Sequence, residues 1–154
     1  MRRFLLALLL ASGAAQAAIE VIDDQGQTLR LAQPARRIVS LAPHVTEMLF
    51  AAGAGERIVG AVQYSDYPEA AKKIPRVGSY TAVDMEKVAA LKPDLVVAWQ
   101  SGNRDTHLDK LKALGIPVFV NEPRRIDDVA KIVAQLGRLA GTEAVGDAAA
   151  QAFR

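Results

Sequence analysis

Four aromatic side chains that carry polar atoms lie close together in the middle of the sequence. Tyr64, Tyr67, Tyr80 and Trp99 are the only tyrosines and the only tryptophan of the 154-residue chain. Such rings offer a broad contact area at a small entropic cost, and their polar atoms can orient a ligand. The grouping predicts a binding wall for a large, partly apolar ligand, with packing in the core as the alternative for any single ring.

The residues that could catalyse a reaction form no recognisable set. His44 and His107 could each bind a metal, but a position at a helix end or on the surface explains a lone histidine as well. Glu47 follows Thr46 and is either a first-turn carboxylate or a side chain that faces a crevice. The chain has no cysteine, phosphate-binding loop, nucleophile elbow or zinc-protease motif. We therefore expect no enzymatic activity, resident metal or cofactor.

The stretch QYSDYP (residues 63 to 68) has the composition of a loop that is closed by a proline. Asp66 is a typical turn residue, since its short side chain can accept hydrogen bonds from nearby backbone N–H groups. Tyr67, next to Pro68, is expected to pack and to shape the loop. Tyr64 is then the tyrosine of this loop that faces the ligand.

Short apolar runs alternate with helical patterns along most of the chain. An N-terminal hairpin is followed by strands predicted at residues 38–42, 58–62, 94–99 and 116–120. Helices are predicted at about 46–52, 85–91 (with Asp84 as N-cap), 105–114 and 126–140.

This alternation determines the fold class and the place of the site. Strands that are apolar on both faces indicate a mainly parallel sheet covered by helices on both sides, a three-layer Rossmann-like α/β lobe over residues 18–141. Ligands of such sheets bind beyond the carboxyl ends of the strands. The loops after Leu41, Val62, Trp99 and Val120 are therefore the predicted ligand-facing loops.

The first 17 residues have the pattern of a secretory signal peptide. Two arginines precede a short run rich in leucine and alanine, and small residues follow up to Ala17. The run is too short to span a bilayer, which takes about 20 apolar residues. Loss of Arg2 and Arg3 would bring the 19 basic side chains down to the number of acidic ones, 17, so no nucleic-acid partner is expected. The sequence predicts a soluble monomer exported to the periplasm.

Four stretches, in this order, resemble the helical-backbone class of periplasmic binding proteins. They are RIVSLAPHVTEMLFAAG (37–53), VQYSDYP (62–68), VGSYTAVDMEKVAALKPDLVVAWQSGN (77–103) and LGIPVF (114–119). APHVTE and LKPDLV are common to the class, whereas YSDYP and AWQSGN favour its cobalamin-binding branch. The resemblance implies a protein that binds cobalamin or a related corrinoid and delivers it to the permease subunits of an ABC importer.

The resemblance also implies roles for individual residues. Tyr64 and Trp99 match aromatic residues that contact the corrin, and Tyr80 stands where cobalamin binders have a tryptophan that stacks on the ligand. That departure keeps an aromatic face and adds a hydroxyl. Glu86 matches a surface glutamate that docks onto arginines of the permease, with an exposed helix carboxylate as the alternative interpretation.

The resemblance covers only the first half of the class pattern. The resemblance implies a protein of two α/β lobes that are joined by one long helix and hold the ligand between them. Residues 142–154, with Thr142 as the predicted N-cap, correspond to the start of that helix, and we expect this chain to carry the first lobe without the second. Half a cleft buries much less of a large ligand, so we expect weak binding by this lobe alone.

Two other functions stay open at this point. Proteins of the same class deliver haem or ferric siderophores, and a phenolate of Tyr64, Tyr67 or Tyr80 could bind ferric iron. The other is an exported enzyme that uses Glu47 and Asp66 for proton transfer, which would require a positioned pair with matched pKa values.

Overall fold

The computed structural model describes residues 17–153, where strands and helices alternate as predicted. The strands are β1 (Ile19–Ile22), β2 (Thr28–Leu31), β3 (Ile38–Ser40), β4 (Ile58–Ala61), β5 (Leu95–Trp99) and β6 (Val118–Asn121). The helices are α1 (Pro43–Ala51), α2 (Met85–Ala90), α3 (Asp105–Ala113), α4 (Ile126–Ala140) and α5 (Glu143–Ala152). No helix within residues 17–153 is both long enough and apolar enough to cross a membrane. The predicted signal peptide, residues 1–17, lies outside the described residues except for Ala17.

A four-stranded parallel sheet forms the centre of the fold. Its strand order is β4, β3, β5, β6, so β3 and β5 are the inner strands. Val39 pairs with Val96 between β3 and β5, and Val97 pairs with Phe119 between β5 and β6. The prediction of a parallel α/β lobe is confirmed.

Helices cover both faces of this sheet, which explains why its strands are apolar on both sides. On one face, Phe119 belongs to a core cluster with Leu49 of α1 and Leu136 of α4. On the other face, Val96 belongs to a second cluster with α2 and with Leu108 of α3. The three-layer arrangement is therefore also confirmed.

The predicted N-terminal hairpin is present and packs beside α4. β1 and β2 pair in antiparallel fashion, and the side chain of Asp23 accepts hydrogen bonds from the backbone N–H groups of Gln25 and Gln27 at 2.9 and 2.8 Å. Gln135 of α4 donates to the carbonyl of Ile22 at 2.7 Å. The hairpin thereby extends the layer that α1 and α4 form.

The first helix begins earlier than predicted. α1 starts at Pro43, because proline fits the first helical turn, where its missing N–H is not needed. Thr46 is therefore an interior residue of the helix, and its hydroxyl donates to Oγ of Ser65 at 3.1 Å instead of capping the helix. Glu47 correspondingly lies beyond the first turn, which contains no acidic residue.

Helices α4 and α5 approach each other through two glycines. A Cβ added to Gly137 would lie 2.9 Å from the Cα of Gly146, which is closer than real Cβ atoms approach a neighbouring backbone. Thr142 occupies the N-cap position of α5 as predicted, but its side chain makes no capping bond. Its hydroxyl donates instead to the carbonyl of Ala52 at 2.6 Å and links α5 to the end of α1. The role of residues 142–154 as the start of an inter-lobe helix stays a prediction.

Candidate ligand-binding site

The loops that follow the four parallel strands meet at one edge of the sheet. The N–H of Gln63 donates to the carbonyl of Gly78 at 2.8 Å, which joins the QYSDYP loop to the loop that carries Tyr80. The N–H of Gln100 donates to the carbonyl of Asn121 at 3.0 Å and joins the turn after β5 to the end of β6. The side chain of Asn103 links these pairs, because it donates to the carbonyls of Leu41 and Tyr80 and accepts the N–H of Trp99, so the loops form one connected surface.

Trp99, at the end of β5, stands between two ring neighbours. Its ring centroid lies 5.8 Å from that of Tyr80 at an interplanar angle of 48°, and 5.2 Å from that of His44 in an edge-to-face arrangement at 87°. Gly102 supports the indole from the following turn, where a Cβ would lie only 1.9 Å from an indole carbon. Trp99 is half-buried and Tyr80 is 38% exposed, so this pair presents ring surface at the edge of the sheet.

Tyr64 projects into solvent from a backbone conformation that residues other than glycine rarely adopt. Its side chain is 77% exposed, and its φ of 67° lies in the left-handed region. The next residue, Ser65, is buried and holds the loop in place. Its hydroxyl accepts a hydrogen bond from Thr46, and its carbonyl accepts one from Nη2 of Arg76 at 2.9 Å. The strained conformation is therefore fixed by contacts at the neighbouring residue.

A cavity of about 560 Å³ opens beside Trp99, between α1 and α4. Its apolar wall includes Met48, Val129, Val133 and Phe153. The volume falls within the range of roughly 300–1,000 Å³ that is typical of small-molecule sites. Trp99 is thus shared between the open aromatic surface and an adjoining apolar cavity.

Two sequence interpretations are decided by this cavity. The packing role predicted for Tyr67 is wrong, because its side chain is 70% exposed and lines the cavity. The loop turns the ring outward toward α1 instead of inward to the core. For Glu47, the crevice-facing alternative is confirmed, since its exposed side chain lines the same cavity.

His44 is a neutral imidazole on the wall of the cavity. Its Nε2 lies 3.2 Å from Oδ1 of Asn121, whose amide nitrogen donates to the carbonyl of Ala98 at 2.6 Å. Oδ1 can only accept, so Nε2–H is the donor. Burial lowers the pKa of His44, and the opposing effects of Asn121, Glu47 and Glu122 are smaller. The ring therefore adds polar surface without positive charge.

Glu122 connects the end of β6 to the turn that carries Trp99. Its carboxylate accepts hydrogen bonds from the hydroxyl of Ser101 and from the Ser101 N–H, the latter at 3.0 Å. The hydroxyl bond is the main cause that holds the pKa of Glu122 below its ordinary value, against an opposing effect of burial. The Ser101 N–H, Arg124 and Trp99 act in the same direction as the hydroxyl bond. The ionised carboxylate thus fixes the position of the turn after β5.

Asp66 does not act as the turn residue that its type predicts. Its carboxylate forms an ion pair with Arg76, with 3.1 Å between Oδ1 and Nη2. Arg76 also donates to the carbonyl of Ala71 at 3.1 Å and so crosses the whole loop. Because this partner lies ten residues away, local turn chemistry could not predict it. The pairing also argues against Asp66 as a free proton-transfer group.

Glu86 lies on a different surface of the lobe. Asp84 caps α2 as predicted by accepting the N–H of Lys87 at 3.1 Å, and Glu86 is exposed in the first turn of that helix. It borders a shallow groove that includes Lys110 and Leu114 of the neighbouring α3 segment. The docking role of Glu86 stays a prediction.

Two buried asparagines belong to the site although the sequence interpretation did not select them. Asn121 holds His44, and Asn103 forms hydrogen bonds with the backbone of both Tyr80 and Trp99. Each asparagine ends or follows a predicted strand, in VFVN and AWQSGN, and that position was the available signal. Within residues 17–153, no group of three histidine, aspartate or glutamate side chains is arranged to hold a metal ion.

Comparison with known proteins gives a consistent result. Residues 38–154 match a family model described as periplasmic binding protein. The vitamin B12-binding protein of Yersinia pestis (strain Pestoides F) is 44% identical over 123 residues, which cover 80% of this chain and 44% of that protein. The chain therefore spans less than half the length of this curated relative.

Two solved structures share the fold. The periplasmic vitamin B12 binding protein BtuF of Vibrio cholerae is 40% identical with a TM-score of 0.76, over 79% of this chain and 48% of that one. The periplasmic heme-binding protein RhuT from Roseiflexus sp. RS-1 is 28% identical with a TM-score of 0.69, over 76% of this chain and 45% of that one. This lobe thus resembles about half of each protein.

Proposed function

This chain belongs to the periplasmic binding protein family, and from that premise we propose that it captures cobalamin or a related corrinoid for the permease of an ABC importer. The names of the Yersinia pestis and Vibrio cholerae proteins support cobalamin as the ligand. Because the chain spans about half of each, the function proposed is that of one ligand-binding lobe. Its task is to hold and release a ligand, with no chemical conversion and no resident cofactor.

The observation that carries this proposal is the aromatic surface at the carboxyl edge of the sheet. Tyr80 and Trp99 lie 5.8 Å apart and share the edge with the exposed ring of Tyr64 on the joined loop. A corrin is a broad macrocycle with largely apolar faces, so it gains most from ring contacts spread over a wide area. The neutral His44 and the hydroxyls of the tyrosines supply polar groups at the border of that surface.

We further propose how the rest of the chain serves this function. Residues 1–17 direct export to the periplasm, residues 18–141 form the lobe, and residues 142–154 begin the helix that leads to a second lobe. The close contact between Gly137 and Gly146 supports the last point, because it fixes the start of α5 firmly to the lobe. The protein acts as a monomer, and nucleic acid plays no part.

The first test is titration of the purified chain with cobalamin, followed by Trp99 emission. Trp99 is the only tryptophan, so the whole indole signal comes from the proposed site. We expect saturable quenching, because the corrin would lie against the ring and absorb its emission. Free N-acetyltryptophanamide corrects for light absorbed by the ligand in solution, and quenching no greater than in that control would reject the proposal.

A variant at Tyr64 tests whether binding depends on the exposed ring of this residue. Tyr64→Gly removes the exposed ring while its backbone readily adopts the φ of 67°, so strain does not confuse the result. We expect binding to weaken roughly tenfold, in line with the loss of about 1–2 kcal/mol of aromatic contact. Leu114→Ala, which truncates another exposed side chain away from this edge, should bind like the unaltered chain.

Haem binding is the second candidate, favoured by the exposed phenol of Tyr67 on the cavity wall. The Roseiflexus protein, named as heme-binding, supports it as well. A phenolate bound to ferric iron gives a characteristic visible absorption band. Appearance of this band with haem, its loss in Tyr67→Phe and no response to cobalamin would replace the first proposal with this one.

Docking to the permease is tested separately at Glu86. We expect Glu86→Lys to slow association with membrane vesicles that contain the importer by about tenfold at low salt, because a surface charge mainly steers encounter. Asp147→Lys makes the same change of charge on exposed α5 and should leave association unaltered. Cobalamin affinity should be equal in the unaltered chain, Glu86→Lys and Asp147→Lys. Equal association rates for Glu86→Lys and Asp147→Lys would refute the docking role.

A further inference from the structure

One buried side chain connects the two aromatic residues at the centre of the surface. Asn103 is only 5% exposed and lies directly after the turn that follows β5. Its amide nitrogen donates to the carbonyl of Tyr80 at 2.8 Å and to the carbonyl of Leu41 at 2.9 Å. Its Oδ1 accepts the N–H of Trp99 at 2.7 Å. Three segments that are distant in sequence therefore meet at one amide group.

The amide group is the only chemistry that satisfies these three partners at this length. An asparagine has two N–H donors and one carbonyl acceptor, and the three contacts use both kinds. Aspartate could still accept from Trp99, but its second oxygen would face two carbonyl oxygens. Alanine would leave one buried and two partly buried backbone groups without this partner, and a buried group without a partner is costly. The position is thus specified by hydrogen bonding.

The contact with Tyr80 is important because the tip of the surrounding loop is closed mainly by its own hydrogen bonds, although the N–H of Gln63 also holds the loop at Gly78. Ser79 and Ala82 exchange backbone hydrogen bonds at 3.1 and 3.3 Å and close the tip of the loop. Within residues 17–153, the Asn103 side chain makes the only recorded hydrogen bond to the main chain of Tyr80. The Asn103 amide therefore ties the main chain of Tyr80 directly to that of Trp99.

We propose that Asn103 is a positioning residue that sets the Tyr80 and Trp99 rings at their mutual distance and angle, so that both contact the same ligand. It touches main-chain atoms of both residues and acts on the ligand only through their rings. This inference deepens the proposed function and rests on it for the identity of the ligand. The ring geometry itself is a property of the free protein.

The test compares Asn103→Asp with a control at the other end of β5. Asp94, just before β5, is also a side chain that binds backbone groups: its carboxylate accepts the N–H of Arg36 at 2.9 Å and of Arg37 at 2.9 Å. It lies at the opposite end of β5 from Trp99. Asp94→Ala therefore removes a comparable set of hydrogen bonds without touching the aromatic surface.

The primary measurement is made without ligand. In Asn103→Asp, we expect Trp99 emission to shift to longer wavelength and acrylamide to quench it more strongly, because Tyr80 no longer covers the indole. Asp94→Ala should leave both signals unchanged at the same degree of folding. Unchanged emission in Asn103→Asp would overturn the proposal.

The second measurement is cobalamin affinity. We expect Asn103→Asp to weaken it roughly tenfold, the equivalent of one or two lost hydrogen bonds, and Asp94→Ala to leave it unaltered at equal thermal destabilisation. An equal loss of affinity in both variants would mean that Asn103 only stabilises the fold, and would refute the proposal. If the emission shifts while the unaltered chain binds no cobalamin, the positioning role is supported and the proposed function fails. If Asn103→Asp does not fold, Asn103→Ala provides the same comparison.

Discussion

Trp99→Ala is expected to weaken cobalamin binding by about thirtyfold or more, since truncation of a central aromatic anchor typically costs about 2 kcal/mol or more. The indole is a ring neighbour of both Tyr80 and His44 and lies close against the backbone at Gly102. Its loss removes contact area and leaves Tyr80 and His44 without the neighbour that orients them. Equilibrium dialysis measures the affinity, because the variant has no tryptophan to report it.

Trp99→Phe is the control for this prediction. A phenyl ring keeps a flat face on the turn of Gly102 but covers less area, so the loss should be clearly smaller than for alanine. Thermal unfolding of both variants, followed by circular dichroism, separates lost contact from lost folding. Binding by a well-folded Trp99→Ala protein at the original affinity would show that the ligand lies elsewhere.

Phe119→Ala should have the largest effect on stability, a decrease of about 3–5 kcal/mol in the free energy of unfolding. The ring is fully buried in β6 and fills the space between the sheet and the layer of α1 and α4. The loss combines the transfer of apolar surface to water with a cavity that the surrounding helices cannot close. A decrease of this size is a large part of the roughly 5–15 kcal/mol that stabilises a typical domain.

Urea denaturation followed by Trp99 emission measures this decrease. Leu114→Ala is the control, because that leucine is 62% exposed and its truncation should change stability by less than about 0.5 kcal/mol. A midpoint for Phe119→Ala that coincides with the control would mean that the β6 edge of the sheet contributes little to the cooperative unit.

The fold was predictable because its main signals are local. Runs such as Leu95 to Trp99 are apolar without interruption, and that pattern alone indicates a strand covered on both faces. The N-cap at Asp84 and the glycine that ends α4 follow from the chemistry of single residues. The predicted start of α1, near residue 46, is three residues late, because the preference of the first helical turn for a proline such as Pro43 was not applied.

The site was predictable only to the level of its loops. Parallel strands bring their carboxyl ends together, so the placement of Tyr64, Tyr80 and Trp99 at one edge follows from the order of elements. The contacts that hold these residues do not follow from the order of elements, because the partners are distant in sequence. Arg76 binds Asp66, and Asn103 binds the main chain of Tyr80. The outward turn of Tyr67 likewise depends on the path of the whole loop and on α1, which periodicity cannot describe.

Asn103 and Arg76 hold the aromatic surface through main-chain atoms, and this decides which of its side chains can be substituted. Asn103 holds the carbonyl of Tyr80, and Arg76 holds the carbonyl of Ser65 beside Tyr64. Neither anchor depends on the ring itself, so position 80 can be varied without loss of the framework. Position 64 is limited to residues that tolerate its φ of 67°, such as glycine and asparagine, and position 99 is constrained by the close approach of Gly102. If the proposed function holds, a library randomised at position 80 is therefore a direct route to variants with altered ligand preference.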